Sequence, residues 1–237
     1  MRILIINGSP RGEKSSTLKV ANALVEGIRR EGDAVDLVDI SKHNIEGCRG
    51  CFACWVNGGK CAIQDDFFKL FKERHLPSDL IIWSFPLYYF GIPSQLKAYI
   101  DRQFINLWPD MTIDEDGCPS HPLRWDESHI SHIAVSTCGF FTAEGLYDAV
   151  LANFRLIFRH NLKEAITCGE GGCFMGGKAA ECVSHYLDVV KRAGREYRDM
   201  GSFSKETRTD LMKPIVPTDA YNDSTAAAGM WKLQNTR

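Results

Sequence analysis

Short apolar runs alternate with stretches of helical periodicity along most of this chain, and that alternation leaves few folds open. Arg2–Asn7 reads as a buried strand, after which Ala21, Leu24, Val25 and Ile28 recur at helical spacing. Residues 34–40 alternate as a second strand, 65–75 read as a helix, 80–84 as a strand ahead of the Pro86 loop, and 94–104 as a helix again. Residues 132–136 and 163–168 continue the strands, with helices expected over 143–159 and 179–198. A strand followed by a helix, repeated in this way, predicts an α/β chain: a doubly wound five-stranded parallel sheet with helices on both faces. With 237 residues, 44% of them hydrophobic, the chain can bury the core such a domain needs.

We expect that domain to occupy residues 1–202. Two segments fall outside the pattern: an irregular, proline-containing insertion over 106–129 and a tail over 203–237 in which Tyr221, Met230 and Trp231 stand as isolated apolar anchors. Long segments without regular structure in a compact domain are commonly functional or interfacial. The formal net charge is −2 with both signs interspersed, which excludes a sequence-wide positive field and argues against a nucleic-acid partner. No stretch approaches the ~18 continuous apolar residues of a membrane span, and no export signal precedes the first strand. A cytoplasmic protein, with no membrane partner, is the expectation. Nine cysteines, an odd number, then read as thiols or metal ligands and not as a disulfide framework.

The first strand runs into "NGSPRGEKSST", Asn7 to Thr17. A triphosphate loop needs a second glycine before its lysine; here Glu13 stands there, and its carboxylate would repel the phosphates. The dinucleotide pattern G-x-G-x-x-G is absent as well. What remains is a donor-rich turn, with Ser9, Arg11, Ser15, Ser16 and Thr17, entering a helix N-terminus, which suits a single phosphate monoester such as that of flavin mononucleotide. A simpler reading is a turn capped by Ser15 or Ser16. After the third strand, "SFPLYYFGIPSQLKAYIDR" puts Pro86, Tyr88, Tyr89, Phe90 and Gly91 at the carboxyl edge of the sheet, where open α/β sheets bind ligands. "STCGFF", residues 136–141, brings a third glycine-containing loop to that edge.

"CRGCFACWVNGGKC" spaces Cys48, Cys51, Cys54 and Cys61 as C-x2-C-x2-C-x6-C. A curled loop with that spacing can aim its thiolates at one centre, as both iron-sulfur and zinc sites require; free or redox-active thiols remain a third reading. Cys138, Cys168 and Cys173 read as ordinary buried or loop thiols, and the histidines show no metal spacing.

With "NGSPR…SST", "FPLYYFGIPSQLKAYIDR" and "STCGF" together, the chain resembles the flavodoxin-like NAD(P)H-dependent FMN reductases over roughly residues 1–200, and in particular their iron-sulfur flavoprotein branch. The resemblance implies that Ser9, Arg11, Ser16 and Thr17 hold the FMN phosphate, that Pro86, Leu87, Tyr88, Tyr89, Phe90 and Gly91 line the ring, and that Thr137, Cys138 and Gly139 close over its other edge. It also implies a 4Fe-4S cluster on Cys48, Cys51, Cys54 and Cys61, a motif followed here, as in that family, by the acidic pair Asp65-Asp66. The activity it implies is an oxidoreductase that takes electrons from NAD(P)H and passes them to a small acceptor such as a quinone, an aromatic or a flavin. No protein acid or base is required, because the flavin performs the redox chemistry. The alternative is an electron carrier in which the cluster relays electrons between FMN and a ferredoxin-like protein partner. A module that holds zinc and only binds a ligand is a third reading. A homodimer or homotetramer is implied by the same resemblance.

Overall fold

The computed structural model describes residues 1–115, 117–176, 179–218 and 221. Its centre is a five-stranded sheet of β1 (Arg2–Asn7), β2 (Ala34–Asp39), β3 (Leu80–Pro86), β6 (Ser131–Thr137) and β7 (Leu162–Cys168), in the order β2-β1-β3-β6-β7. Every pairing is parallel. The chain starts in the middle, moves outward to β2, and then crosses to β3 on the other side of β1. The connections leaving β1 and β3 therefore diverge, which opens a crevice at their carboxyl ends.

Alternation along each strand sends side chains to two helical layers. On one face Ile3, Ile5, Leu80, Ile82, Ile133 and Val135 pack against α1 (Ser16–Ile28) and α6 (Ala180–Met200). On the other, Leu4, Ile6, Ile81, Trp83 and Phe85 pack against α3 (Phe67–Leu70), α4 (Ser94–Arg102) and α5 (Asp148–Phe158). The expected doubly wound architecture is the observed one.

α1 and α6 cross through glycines. A Cβ on Gly27 would stand 2.1 Å from the carbonyl oxygen of Lys191, and one on Gly194 would stand 2.3 Å from that of Leu24. Backbone cannot yield as a flexible side chain does, so Gly27→Ala must push the helices apart. We expect a loss of about 3 kcal/mol, at the upper end of ordinary overpacking, read as a lower urea midpoint; an unchanged midpoint would contradict this packing.

Four expectations need correction. The helix over 65–75 is only one α-turn, α3, continued by a π-turn over Phe71–His75 in which the Leu76 N–H reaches back to the Phe71 carbonyl at 3.0 Å. The helix over 143–159 starts at Asp148, because Gly145, with φ of 71°, breaks the helical path before it. The 106–129 insertion is not irregular throughout: β4 (Thr112–Ile113) and β5 (Pro119–Ser120) form an antiparallel arm, extended by a bridge between Leu107 and Leu123. The 203–237 segment contains α7 (Lys205–Leu211), capped by Ser204, and Phe203 and Leu211 are buried in the core beside α1 and α6. Met230 and Trp231 lie outside the described residues.

Candidate functional site

Three of the loops singled out above meet at Thr137, the last residue of β6. Its Oγ1 lies 2.6 Å from Thr17 Oγ1 on α1, its carbonyl accepts the Leu87 N–H at 2.9 Å, and it pairs in register with Pro86 of β3 and Cys168 of β7. Thr17 is 1% and Thr137 4% exposed, so this hydroxyl pair is a buried tie between the first and third loops. Ser84, two residues before Pro86 and on the same face as Leu80 and Ile82, keeps a buried Oγ that finds no partner among the described residues.

The first loop is built around the α1 N-terminus. Ser15 is the N-cap and accepts from the Leu18 N–H at 3.2 Å, while Ser9 accepts from the Arg11 N–H at 3.3 Å. Ser9 and Ser16 are buried and Arg11 is exposed. Glu13 is exposed and pairs with Lys42, whose hydrogen bond and charge hold its carboxyl below the usual range. The positive end of a thirteen-residue helix thus opens on this loop.

The second loop is a tight turn in which Tyr88 and Gly91 exchange both backbone hydrogen bonds at 2.9 Å. Its two central residues, Tyr89 and Phe90, have φ of 48° and 60°. Such a turn ordinarily carries Asn and Gly there, because other L-residues pay a steric cost in the left-handed region. Tyr89 is 99% exposed, and Phe90 stacks at 6.0 Å on Phe140 from the third loop. The sheet's carboxyl edge therefore carries an open aromatic shelf that includes Phe140, which was assigned no role from the sequence. Cys138 is buried, which pushes its thiol up, and Gly139 is exposed.

The cysteine loop is separate from this shelf. Cys48, Cys51, Cys54 and Cys61 line one small pocket of about 20 Å3 together with Arg49, Phe52, Phe104 and Arg102. Cys48 and Cys51 are exposed and Cys54 is buried, which raises its thiol pKa, with the neighbouring Cys61, Cys48 and Cys51 adding to the shift. Among the described residues no three His, Cys, Asp or Glu side chains are grouped to hold a metal ion. The insertion braces this loop, Arg124 donating to the carbonyls of Trp55 at 3.2 Å and Cys54 at 3.5 Å; from just before the insertion Phe104 stacks on Trp55 at 4.9 Å.

A cavity of about 620 Å3 lies at the opposite end of the sheet from the shelf, between the ends of α4 and α5 and the β4–β5 arm. Glu127 lines it, 3.6 Å from the fully buried His75. Burial pushes Glu127 up to about 7 and His75 down to about 3, so the proton of this pair resides on the carboxyl below neutrality. A carboxyl raised in the folded state stabilises most below its unfolded pKa and loses that contribution as pH rises through the folded one. Relative to Glu127→Gln, the wild type should therefore lose up to about 3 kcal/mol between pH 4.5 and about 7. Parallel urea titrations across that range test this; a constant difference would contradict it.

Known proteins share this architecture. Over 102 residues, 43% of this chain and 51% of the relative, the sequence is 36% identical to an iron-sulfur flavoprotein of Methanocaldococcus jannaschii. It is 29% identical over 114 residues to an FMN-dependent NADH:quinone oxidoreductase of Ralstonia nicotianae, covering 43% of this chain and 53% of that one. The chain spans about half the length of the curated relatives it matches. An FMN-dependent NADH-azoreductase from Bacillus anthracis, solved in complex with FMN, superposes with a TM-score of 0.57 at 15% identity, over 83% of this chain and 99% of that one, which is a likeness of fold. The profile of the family described as flavodoxin-like fold matches residues 1–160, well over half of the 237-residue chain, with the sheet order just described; the chain belongs to the flavodoxin-like fold family.

Proposed function

We propose that this protein is an FMN-dependent oxidoreductase that accepts electrons from NAD(P)H and delivers them to a small acceptor such as a quinone, an aromatic or a flavin. The observation that carries this reading is the convergence on Thr137 of a capped helix N-terminus, an aromatic turn and a third loop at the sheet's switch point. In this reading Ser9, Arg11, Ser16 and Thr17 hold the phosphate at the positive end of α1. Pro86, Leu87, Tyr88, Tyr89, Phe90 and Gly91 line one side of the ring, and Thr137, Cys138 and Gly139 close the other. The orphaned Ser84 hydroxyl offers a further polar contact at that junction. FMN, when bound, supplies two-electron chemistry from nicotinamide and one- or two-electron chemistry toward the acceptor. The chain's own residues bind and orient the ring, and the exposed Tyr88, Tyr89 and Phe140 leave an aromatic surface on which a flat acceptor can lie. The names of the relatives support this reading. Without oxygen, full-length protein loaded with FMN should oxidise NADH or NADPH beyond the one equivalent that reduces its flavin only when a quinone or azo dye is added in turnover amounts; failure with both nucleotides would overturn it.

The cysteine loop favours a second reading. The pocket lining holds four thiols, no carboxylate and no imidazole, within a shell of Phe52, Ile63, Phe104 and Ile105. That donor set fits a 4Fe-4S cluster, which takes one thiolate at each of four separated irons. Cys48, Cys51, Cys54 and Cys61 would then hold a cluster that relays electrons to a ferredoxin-like protein partner. Iron and sulfide per chain separate the two readings.

A homodimer or homotetramer belongs to the same proposal, supported by Leu156, 63% exposed, and Ile157, 38% exposed, on the outer face of α5. No helix among the described residues is long and apolar enough to cross a membrane. Cytoplasmic residence belongs to the same proposal, since the exposed thiols of Cys48, Cys51 and Cys182 suit a reducing compartment.

A further inference from the structure

Beyond α7 the chain returns to the carboxyl edge of the sheet and fastens there. Glu170, 1% exposed and in the left-handed region with φ of 55°, accepts from the Ile215 N–H at 2.5 Å and the Val216 N–H at 3.3 Å through one carboxylate oxygen. Val216 and Tyr221 then pack with Cys173 and Ala179 in an apolar cluster of their own. From that cluster the Tyr221 hydroxyl, on a residue 4% exposed, donates to the Gly139 carbonyl at 2.9 Å.

That bond completes a row. The Cys138 carbonyl accepts from the Gly171 N–H at 2.8 Å, the Gly139 carbonyl from Tyr221, and the Phe140 carbonyl from the Glu170 N–H at 2.7 Å. Three successive carbonyls of the third loop are thus held from the side of residues 170–171 and 221. A trans peptide sets each N–H opposite the preceding carbonyl. The N–H groups of Gly139 and Phe141, opposite the carbonyls held by Gly171 and Glu170, are therefore turned away from residues 170–171, on residues that are themselves exposed, while the Phe140 N–H, opposite the carbonyl held by Tyr221, is taken by the Cys138 sulfur.

We propose that Tyr221, seated by Glu170, is a positioning residue of the cofactor site: it fixes the Gly139–Phe140 peptide, so that the Gly139 and Phe141 N–H groups on either side of it face the acceptor edge of a planar heterocycle lying against Phe90 and Phe140. This rests on the FMN reading above and adds to it a residue far along the chain. The strap acts on the ring and not on the phosphate, which the α1 end holds.

The test is titration of FMN, and separately of riboflavin, into cofactor-stripped full-length wild type, Tyr221→Phe, Glu170→Ala and a control, Tyr197→Phe, which removes a buried hydroxyl on α6 facing Ser131 at the other end of β6. Losing the hydroxyl, with its bond to the Gly139 carbonyl and the one from the Gly172 N–H, should weaken FMN about five-fold in Tyr221→Phe, by the same factor for riboflavin, and should shift the visible spectrum of the bound flavin. Glu170→Ala, which frees the whole strap, should weaken both at least as much, and the double variant no more than Glu170→Ala alone. Tyr197→Phe should lower the melting temperature without altering either affinity. Wild-type affinity and spectrum in both Tyr221→Phe and Glu170→Ala would overturn the inference alone. A folded wild type that binds no FMN would overturn the cofactor reading and the inference with it. Should Tyr221→Phe not fold, Glu170→Ala decides: loss confined to FMN and not shared by riboflavin would place the strap's effect on the phosphate and also overturn the inference.

Discussion

Arg102→Met is expected to cost about 3–5 kcal/mol of stability, the range for leaving a buried charge without its partner. Arg102 is 1% exposed and grips both oxygens of Asp65, at 2.7 and 3.0 Å, while also donating to the carbonyls of Glu46 at 3.0 Å and Ile63 at 3.4 Å. Burial raises the Asp65 pKa, but the Arg102 hydrogen bonds and the N–H groups of Glu46 and Phe67 outweigh it and leave the carboxyl below its usual range. Methionine fills the volume and removes the charge, so Asp65 loses most of what keeps it ionised inside the protein. Because Glu46 and Ile63 flank the cysteine loop, its two ends should loosen together, and iron taken up in anaerobic reconstitution should fall with stability. The double variant Arg102→Met/Asp65→Leu should recover more than half of the stability, since a buried ion pair replaced as a unit is often near neutral. A single variant within about 0.5 kcal/mol of wild type, the ordinary range for surface changes, would show that this pair does not organise the loop.

The second expectation has opposite signs for stability and binding. Tyr89→Asn with Phe90→Gly supplies the residues that the turn geometry favours, relieving about 1–2 kcal/mol of left-handed strain per residue. Little burial is lost in exchange, because Tyr89 is 99% and Phe90 51% exposed. The melting temperature should therefore rise. Cofactor affinity should fall about ten-fold, the equivalent of one good aromatic contact, since the ring wall goes with the strain. Strain retained at a turn whose packing is one ring contact, that of Phe90 on Phe140, points to use by a ligand. A drop in stability, or unchanged FMN binding, would remove that argument.

The strands and their parallel arrangement were legible because each is a short apolar run followed by helical spacing, and a five-member alternation admits one kind of sheet. What escaped was set by single residues or by distant partners. Gly145 breaks a helix whose apolar spacing continues through it, and β4 and β5 are two residues each, too short to show a period. The candidate site was legible at its donor-rich first loop and its aromatic second loop. The role of Thr137 as their tie was not, because it depends on a hydroxyl contact between residues 120 positions apart. Tyr221 stood out in the sequence only as an apolar anchor; that it bonds Gly139 of its own chain follows from the path taken after α7. The four cysteines were legible as a set and Asp65 stood out in the acidic pair after them, but its buried partner Arg102 lies 37 positions away and carries no spacing signal.

The most direct test of the central claim is the visible spectrum of the full-length protein purified without oxygen, followed during addition of NADH and then NADPH, with iron and sulfide measured on the same sample. The proposed function predicts flavin bands at about one FMN per chain that bleach when either nucleotide is added; about four irons and four sulfides per chain would add the cluster to that account. A colourless protein that stays colourless after incubation with FMN, or bound flavin that neither nucleotide reduces, would contradict it.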